Sequence, residues 1–127
     1  MRALDRTAGI LLLLGAAGHT AGTLHWLSRA SDAFVWSLGS SLAAALLATL
    51  NLVRSGRPTD RTLAWICFAG TSFWAAVVLG FGVSIGRMLD PRVLMHLVAS
   101  AALVIFSVRT LRRAASVPAN PLAVAMR

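Results

Sequence analysis

The chain has no lysine, no glutamate and no tyrosine, a single cysteine (Cys67), and only four carboxylates, all of them aspartate. Each shortage removes a class of function. One cysteine cannot close a disulfide within the chain, so a disulfide-stapled scaffold is excluded. Charged residues make up 13% of the sequence, against about 25% in an ordinary soluble domain. Paired histidines at i and i+4, as in zinc hydrolases, are absent, and so is a glycine-rich phosphate loop between strand and helix. What the chain has is apolar surface. Hydrophobic residues reach 57% of 127 positions, and the mean hydropathy is +0.76. So few polar groups could not cover a soluble domain of this size. The apolar content also rules out disorder.

The apolar residues fall into four runs, about 6–27, 33–53, 61–85 and 91–111. Each is near the ~20 residues that cross a bilayer as a helix, and the backbone inside a bilayer must satisfy its own hydrogen bonds. The joints are short, so consecutive spans are neighbours. The expected fold is an all-α, integral membrane four-helix up-down bundle. Asp5, Asp32, Asp60 and Asp90 each sit just before one run, where a carboxylate caps the first turn and complements the helix dipole. Pro91 suits the first helical position. On this reading every acid is a cap and none is left inside a span for proton coupling or paired-acid hydrolysis.

Arginine sets the orientation. Arg2, Arg6, Arg54, Arg57, Arg61, Arg109, Arg112, Arg113 and Arg127 fall on one side of a four-span topology, and Arg29, Arg87 and Arg92 on the other. The positive-inside rule then places both termini in the cytoplasm, N-in/C-in. The net charge of +8 becomes a collar facing anionic lipid headgroups rather than nucleic acid. Residues 1–22 also resemble a signal peptide, with Arg2 and Arg6 before the Ile10–Leu14 core and small residues around Ala16-Ala17-Gly18. The apolar run continues to Trp26 and Leu27, however, which is long enough to span. Residues 112–127, with Pro118 and Pro121, are expected to form a short cytoplasmic tail.

In lipid, small residues decide which helix faces meet. Gly15, Gly18 and Gly22 in span 1, and Gly82 and Gly86 in span 3, are expected to be helix-packing positions. On this basis Gly18→Leu forces the spans apart, while Gly56→Ala in a joint is tolerated. Trp26 and Trp36 flank the first outer joint at headgroup level. Trp74 lies deeper, and its indole N–H needs an acceptor or a cavity.

The reactive inventory reduces to His19, His25, His96, Cys67 and hydroxyls. His19 lies about 12 Å, and His96 about 7–8 Å, from the outer helix ends at ~1.5 Å per residue, so both occupy the outer half of the bundle. One reading is structural: neutral imidazoles bonded to a neighbouring helix. Another makes His19 and His96 the axial pair of a b-type haem, with glycines leaving room for the macrocycle. A third uses His19 or His96 with Trp74, Thr23 or Ser100 to line a pocket for a quinone or other lipid-like molecule. Cys67 is expected to be a buried, inert thiol. No metal site is expected outside the haem alternative.

The segment Leu11-Leu12-Leu13-Leu14-Gly15-Ala16-Ala17-Gly18-His19-Thr20-Ala21-Gly22 resembles the opening span of small bacterial four-helix inner-membrane proteins, similar in layout to the DoxX-like group. The resemblance implies a multi-pass bundle in the bacterial cytoplasmic membrane and directs attention to His19. The expected function is that of an accessory or scaffold subunit, or a homo-oligomer, without catalysis of its own. Its partners are then membrane lipids and either a larger membrane complex or further copies. The alternative is a binder of a lipophilic ligand, haem b or quinone. A membrane enzyme or transporter would have to rely on histidine as its titratable group.

Overall fold

The computed structural model describes residues 1–116. Four helices account for nearly all of them: α1 (Arg2–Trp26), α2 (Asp32–Ser55), α3 (Arg61–Ser84) and α4 (Pro91–Ala115). All four are long and apolar enough to cross a bilayer. α1 packs on α2 and α4, α3 packs on α4 and α2, and α2 and α4 touch across the diagonal. α4 continues past the apolar run, so Arg112, Arg113, Ala114 and Ala115 are helical. The rest of the expected tail, residues 117–127, lies outside the described residues.

The surface and the interior have exchanged the roles they play in a water-soluble protein. Leu14, Val35, Phe73 and Val98, one on each helix, are 61–73% exposed, while Asn51, Arg54, Thr71, Ser100 and Ser107 are buried. A bundle surrounded by lipid favours this arrangement, because polar side chains are least costly when they face one another. The apolar part of the core is built largely from small residues, Ala8, Ala16, Ala44, Ala48 and Ala99, around Leu12 and Leu103. Most buried hydroxyls satisfy themselves within their own helix. Thr23 Oγ1 donates to the His19 carbonyl (2.9 Å), Ser41 Oγ to Ser37 (3.1 Å) and Ser107 Oγ to Leu103 (2.9 Å).

Two of the four aspartates are caps. Asp60 accepts from the Leu63 N–H (2.9 Å), and Asp90 accepts from the Arg92 N–H (2.9 Å) with Pro91 at the helix start. At α2 the cap is Ser31, whose Oγ accepts from the Phe34 N–H (3.2 Å), and Asp32 is the first helical residue. Asp5 corrects the expectation most sharply. It lies inside α1, is only 8% exposed, and caps nothing. The reason is the early start of α1 at Arg2, which carries Asp5 past the cap position and turns it inward.

The glycines also divide. At Gly15 a Cβ would come within 2.7 Å of Met95 Cε and 2.8 Å of His96 Nε2. At Gly82 it would lie 2.7 Å from Met88 Sδ and 3.1 Å from Val93 Cγ1. These two are close-approach positions. Gly18 and Gly22 are not, because a Cβ at either meets nothing within 4 Å. The expected contact face of α1 is therefore rotated: Leu12, Gly15 and Ala16 point inward and Gly18 outward. Gly86 is not a packing residue either. It has φ +64 just beyond the end of α3, where Arg87 N–H donates to Gly82 O (3.1 Å) and Gly86 N–H to Val83 O (3.0 Å). That pattern is a Schellman C-cap, for which glycine is suited by its lack of Cβ.

Candidate functional site

Two polar clusters interrupt the apolar interior, one toward each end of the bundle. The first gathers most of the residues singled out from the sequence. His96 and Trp74 are each 8% exposed, with ring centroids 5.8 Å apart and planes at 61°. Ser100 is one turn beyond His96 on α4 and fully buried. Trp74 Nε1, His96 Nδ1 and Ser100 Oγ all lack a hydrogen-bond partner. A buried polar atom left unpaired costs on the order of 1–3 kcal/mol, so three in one neighbourhood are unusual. The packing explains why they collect there. Gly15 lets the His96 ring press its Nε2 edge against α1, which leaves Nδ1 facing the interior.

His19 and Thr23 stand at the margin of this cluster. His19 is half-buried one turn beyond Gly15, and its carbonyl accepts from Thr23 Oγ1. His25 lies outside it, stacked edge-on against Trp26 at 4.6 Å. The His96 ring lies against the α1 backbone, where a Cβ at Gly15 would come within 2.8 Å of its Nε2. Among the described residues, no three His, Cys or Asp side chains gather as a metal site.

The second cluster was not foreseen from the sequence. Arg54, near the end of α2, is 1% exposed. Its Nη2 donates to Asp5 Oδ1 (2.6 Å), its Nη1 to Thr110 Oγ1 (3.1 Å) and its Nε to Asn51 Oδ1 (3.2 Å). Asn51 Nδ2 in turn donates to Thr71 Oγ1 (3.0 Å) and to the Leu47 carbonyl (2.9 Å). Asp5, Asn51 with Arg54, Thr71 and Thr110 thus tie together α1, α2, α3 and α4. A buried guanidinium is tolerable when it is paired and hydrogen-bonded, and each nitrogen of this one has a partner. One signal pointed to it. The small-residue stripe Ser41, Ala44 and Ala48 continues at the same spacing to Asn51 and Ser55, and Arg54 lies one turn from Asn51.

The Asp5–Arg54 pair is thus committed to structure. Among the described residues, the one buried ion pair is held by three helices' worth of hydrogen bonds. Among the described residues, the indole, imidazole and hydroxyl of the first cluster hold the buried side-chain nitrogen and oxygen atoms without a partner. No family model, no curated protein and no solved structure matches this chain.

Proposed function

We propose that the protein is a multi-pass subunit of the bacterial inner membrane, without a reaction of its own, that assembles with a second copy through the outer face of α1. One observation carries this reading: Leu11, Leu14, Gly18, Ala21 and His25 are exposed and recur alternately at three and four positions, forming an unpartnered seam along α1. At its centre Ala17, Gly18, Ala21 and Gly22 make a patch without bulk. A glycine inside a helix costs roughly 0.5–1 kcal/mol relative to alanine. The bundle gains nothing in return at Gly18 or Gly22, where a side chain would meet no neighbour. A second helix approaching there does gain, because small residues let backbones come close in lipid. Two copies in the same orientation present the same patch to each other about a two-fold axis.

The test is the mass of the protein in mild detergent, with energy transfer between labelled copies in vesicles. Wild type is expected to be a dimer, and Gly18→Leu and Gly22→Leu to weaken association about tenfold, which corresponds to ~1.4 kcal/mol. The monomer keeps its helicity and is not destabilised in the same variants, because a side chain at either position meets no neighbour and replaces a helical glycine. A monomeric wild type, or a Gly18→Leu protein that associates equally well, overturns the reading.

A second reading rests on the unpaired atoms of Trp74, His96 and Ser100. A lipophilic molecule with one or two polar groups, such as a quinone, would bond them on entering between α3 and α4, with His19 and Thr23 at the margin. Small-molecule sites combine an apolar lining with few polar anchors in this way. Mass spectrometry of solvent extracts from wild type and from a Ser100→Ala/His96→Leu variant tests it. A lipophile retained only by wild type supports the reading, and identical extracts remove it.

A further inference from the structure

At the end of the bundle where the N-terminus, the α2–α3 joint and the last turns of α4 converge, a cavity of about 180 Å³ opens beside the Asp5–Arg54 pair. Arg2, Arg54, Arg109 and Arg113 line it, with Asp5 and Thr110. Four guanidinium groups therefore face one carboxylate, and that carboxylate is already engaged by Arg54 at 2.6 Å. Among the described residues, Arg2, Arg109 and Arg113 are ion-paired with no carboxylate. Arg54 is fixed by bonds to Asn51, Thr110 and Asp5, so it forms a rigid floor. The other three are exposed around it, Arg109 lying over the Phe106 ring at 5.6 Å with its Nη1 3.6 Å from Met1 Sδ. Like charges gathered around a concave site, with low-dielectric walls behind them, concentrate the field on an anion.

The size of the cavity narrows the anion. A water molecule's share of liquid volume is ≈ 30 Å³, so the space corresponds to about six waters. It is below the ~300 Å³ at which drug-sized pockets begin. A phosphate group with a few waters fits. Its oxygens match the planar, multiply donating guanidinium better than a halide would, since arginine binds phosphate through paired N–H bonds. The geometry points to this cavity as a phosphate-binding site, taking either the headgroup of an anionic phospholipid or free phosphate. Basic pockets between membrane helices hold lipid headgroups by the same chemistry. The site is independent of the α1 seam and stands or falls separately from it.

The experiment uses the full chain in neutral maltoside detergent and follows thermal unfolding, with two probes. One is inorganic phosphate against chloride at matched ionic strength. The other is short-chain phosphatidic acid against phosphatidylcholine in mixed micelles. A ligand that binds only the folded state raises the unfolding temperature in proportion to its concentration above Kd. Stabilisation by both phosphate-bearing probes supports the site and names phosphate itself as the ligand. Stabilisation by phosphatidic acid alone supports it and assigns the lipid source, and stabilisation by inorganic phosphate alone assigns the soluble one. In each case Arg109→Gln/Arg113→Gln is expected to weaken binding at least tenfold, whereas Arg29→Gln/Arg87→Gln, at the opposite end, leaves it unchanged. Both altered pairs are on the exposed surface, so the variants keep the fold. No stabilisation by either probe, or an equal loss in both double variants, overturns the proposal.

Discussion

Asp5 and Arg54, separated by 49 positions, meet at 2.6 Å inside the bundle, with side chains 11% and 1% exposed. The pair joins the first turn of α1 to the last turn of α2, and through Asn51 and Thr110 it reaches the rest of the network. Its energetic signature is a large asymmetry between removing one partner and removing both. Asp5→Ala leaves a buried cation without its counter-charge, and Arg54→Met leaves a buried anion. Each is expected to destabilise the protein by about 3–5 kcal/mol. The double variant Asp5→Ala/Arg54→Met is expected to lose clearly less than the sum of the two. Unfolding of all four proteins in mixed detergent micelles gives the cycle. Additive losses would place the two residues in separate environments.

Gly15 and Gly18 lie one turn apart on α1 and are expected to respond in opposite directions. At Gly15 an alanine Cβ meets Met95 Cε at 2.7 Å and His96 Nε2 at 2.8 Å. The methionine end can swing away, but the imidazole is held beside Trp74. Gly15→Ala is therefore expected to cost roughly 1–3 kcal/mol, as overpacking does. Gly18→Ala meets no atom within 4 Å and is expected to gain roughly 0.5–1 kcal/mol from helix propensity. Thermal unfolding of the monomer at high detergent dilution compares them. If both variants shift the same way, the inward face of α1 is misassigned.

These two relationships also mark where the sequence stops being legible. The four helices were readable because runs of apolar residues of membrane-crossing length have few other structures open to them. Asp60 and the Asp90-Pro91 pair were readable because capping is local. Trp74, His96 and Ser100 could be grouped because a polar side chain deep in an apolar span has to face the interior. Asp5 looked identical to the true caps, since what draws it inward is an arginine on another helix. Gly18 and Gly22 share one face by spacing alone. Spacing does not say whether that face looks into the bundle or away from it, which depends on where Leu12, Gly15 and Ala16 find their neighbours.

Gly86 provides a test of backbone rather than packing. Its φ of +64 is the left-handed conformation that closes the Schellman turn after α3. An alanine there meets no obstructing atom, yet is expected to cost ~1–2 kcal/mol, because its Cβ disfavours that backbone. Gly86→Asn is expected to cost less, since asparagine tolerates the same region. Gly80, four residues from where α3 ends and equally unobstructed, supplies the contrast: Gly80→Ala is expected to stabilise. Unfolding temperatures ordered Gly80→Ala, wild type, Gly86→Asn, Gly86→Ala from highest to lowest are the predicted result.

The α4 cap predicts a pH dependence with a defined sign. Asp90 Oδ1 accepts from Arg92 Nε and from the Arg92 backbone N–H, both at 2.9 Å, and Oδ2 accepts from Nη2 at 2.8 Å. The guanidinium bonds first, and the backbone bond second, lower the Asp90 carboxyl from 3.8 to about 2. Because the folded value is depressed, the contribution of this cap to stability is fully present above 3.8 and is lost as the pH falls through about 2. Between pH 7 and pH 5 the cap contributes no change. Carbon-detected NMR of the Asp90 carboxyl is expected to give a midpoint near 2 in wild type. Arg92→Gln removes the larger cause and keeps the backbone donor, so its midpoint is expected between that value and the ordinary one. A wild-type midpoint near 3.8 would mean that the Arg92 side chain does not hold the carboxylate in solution, and the cap would then rest on the backbone N–H alone.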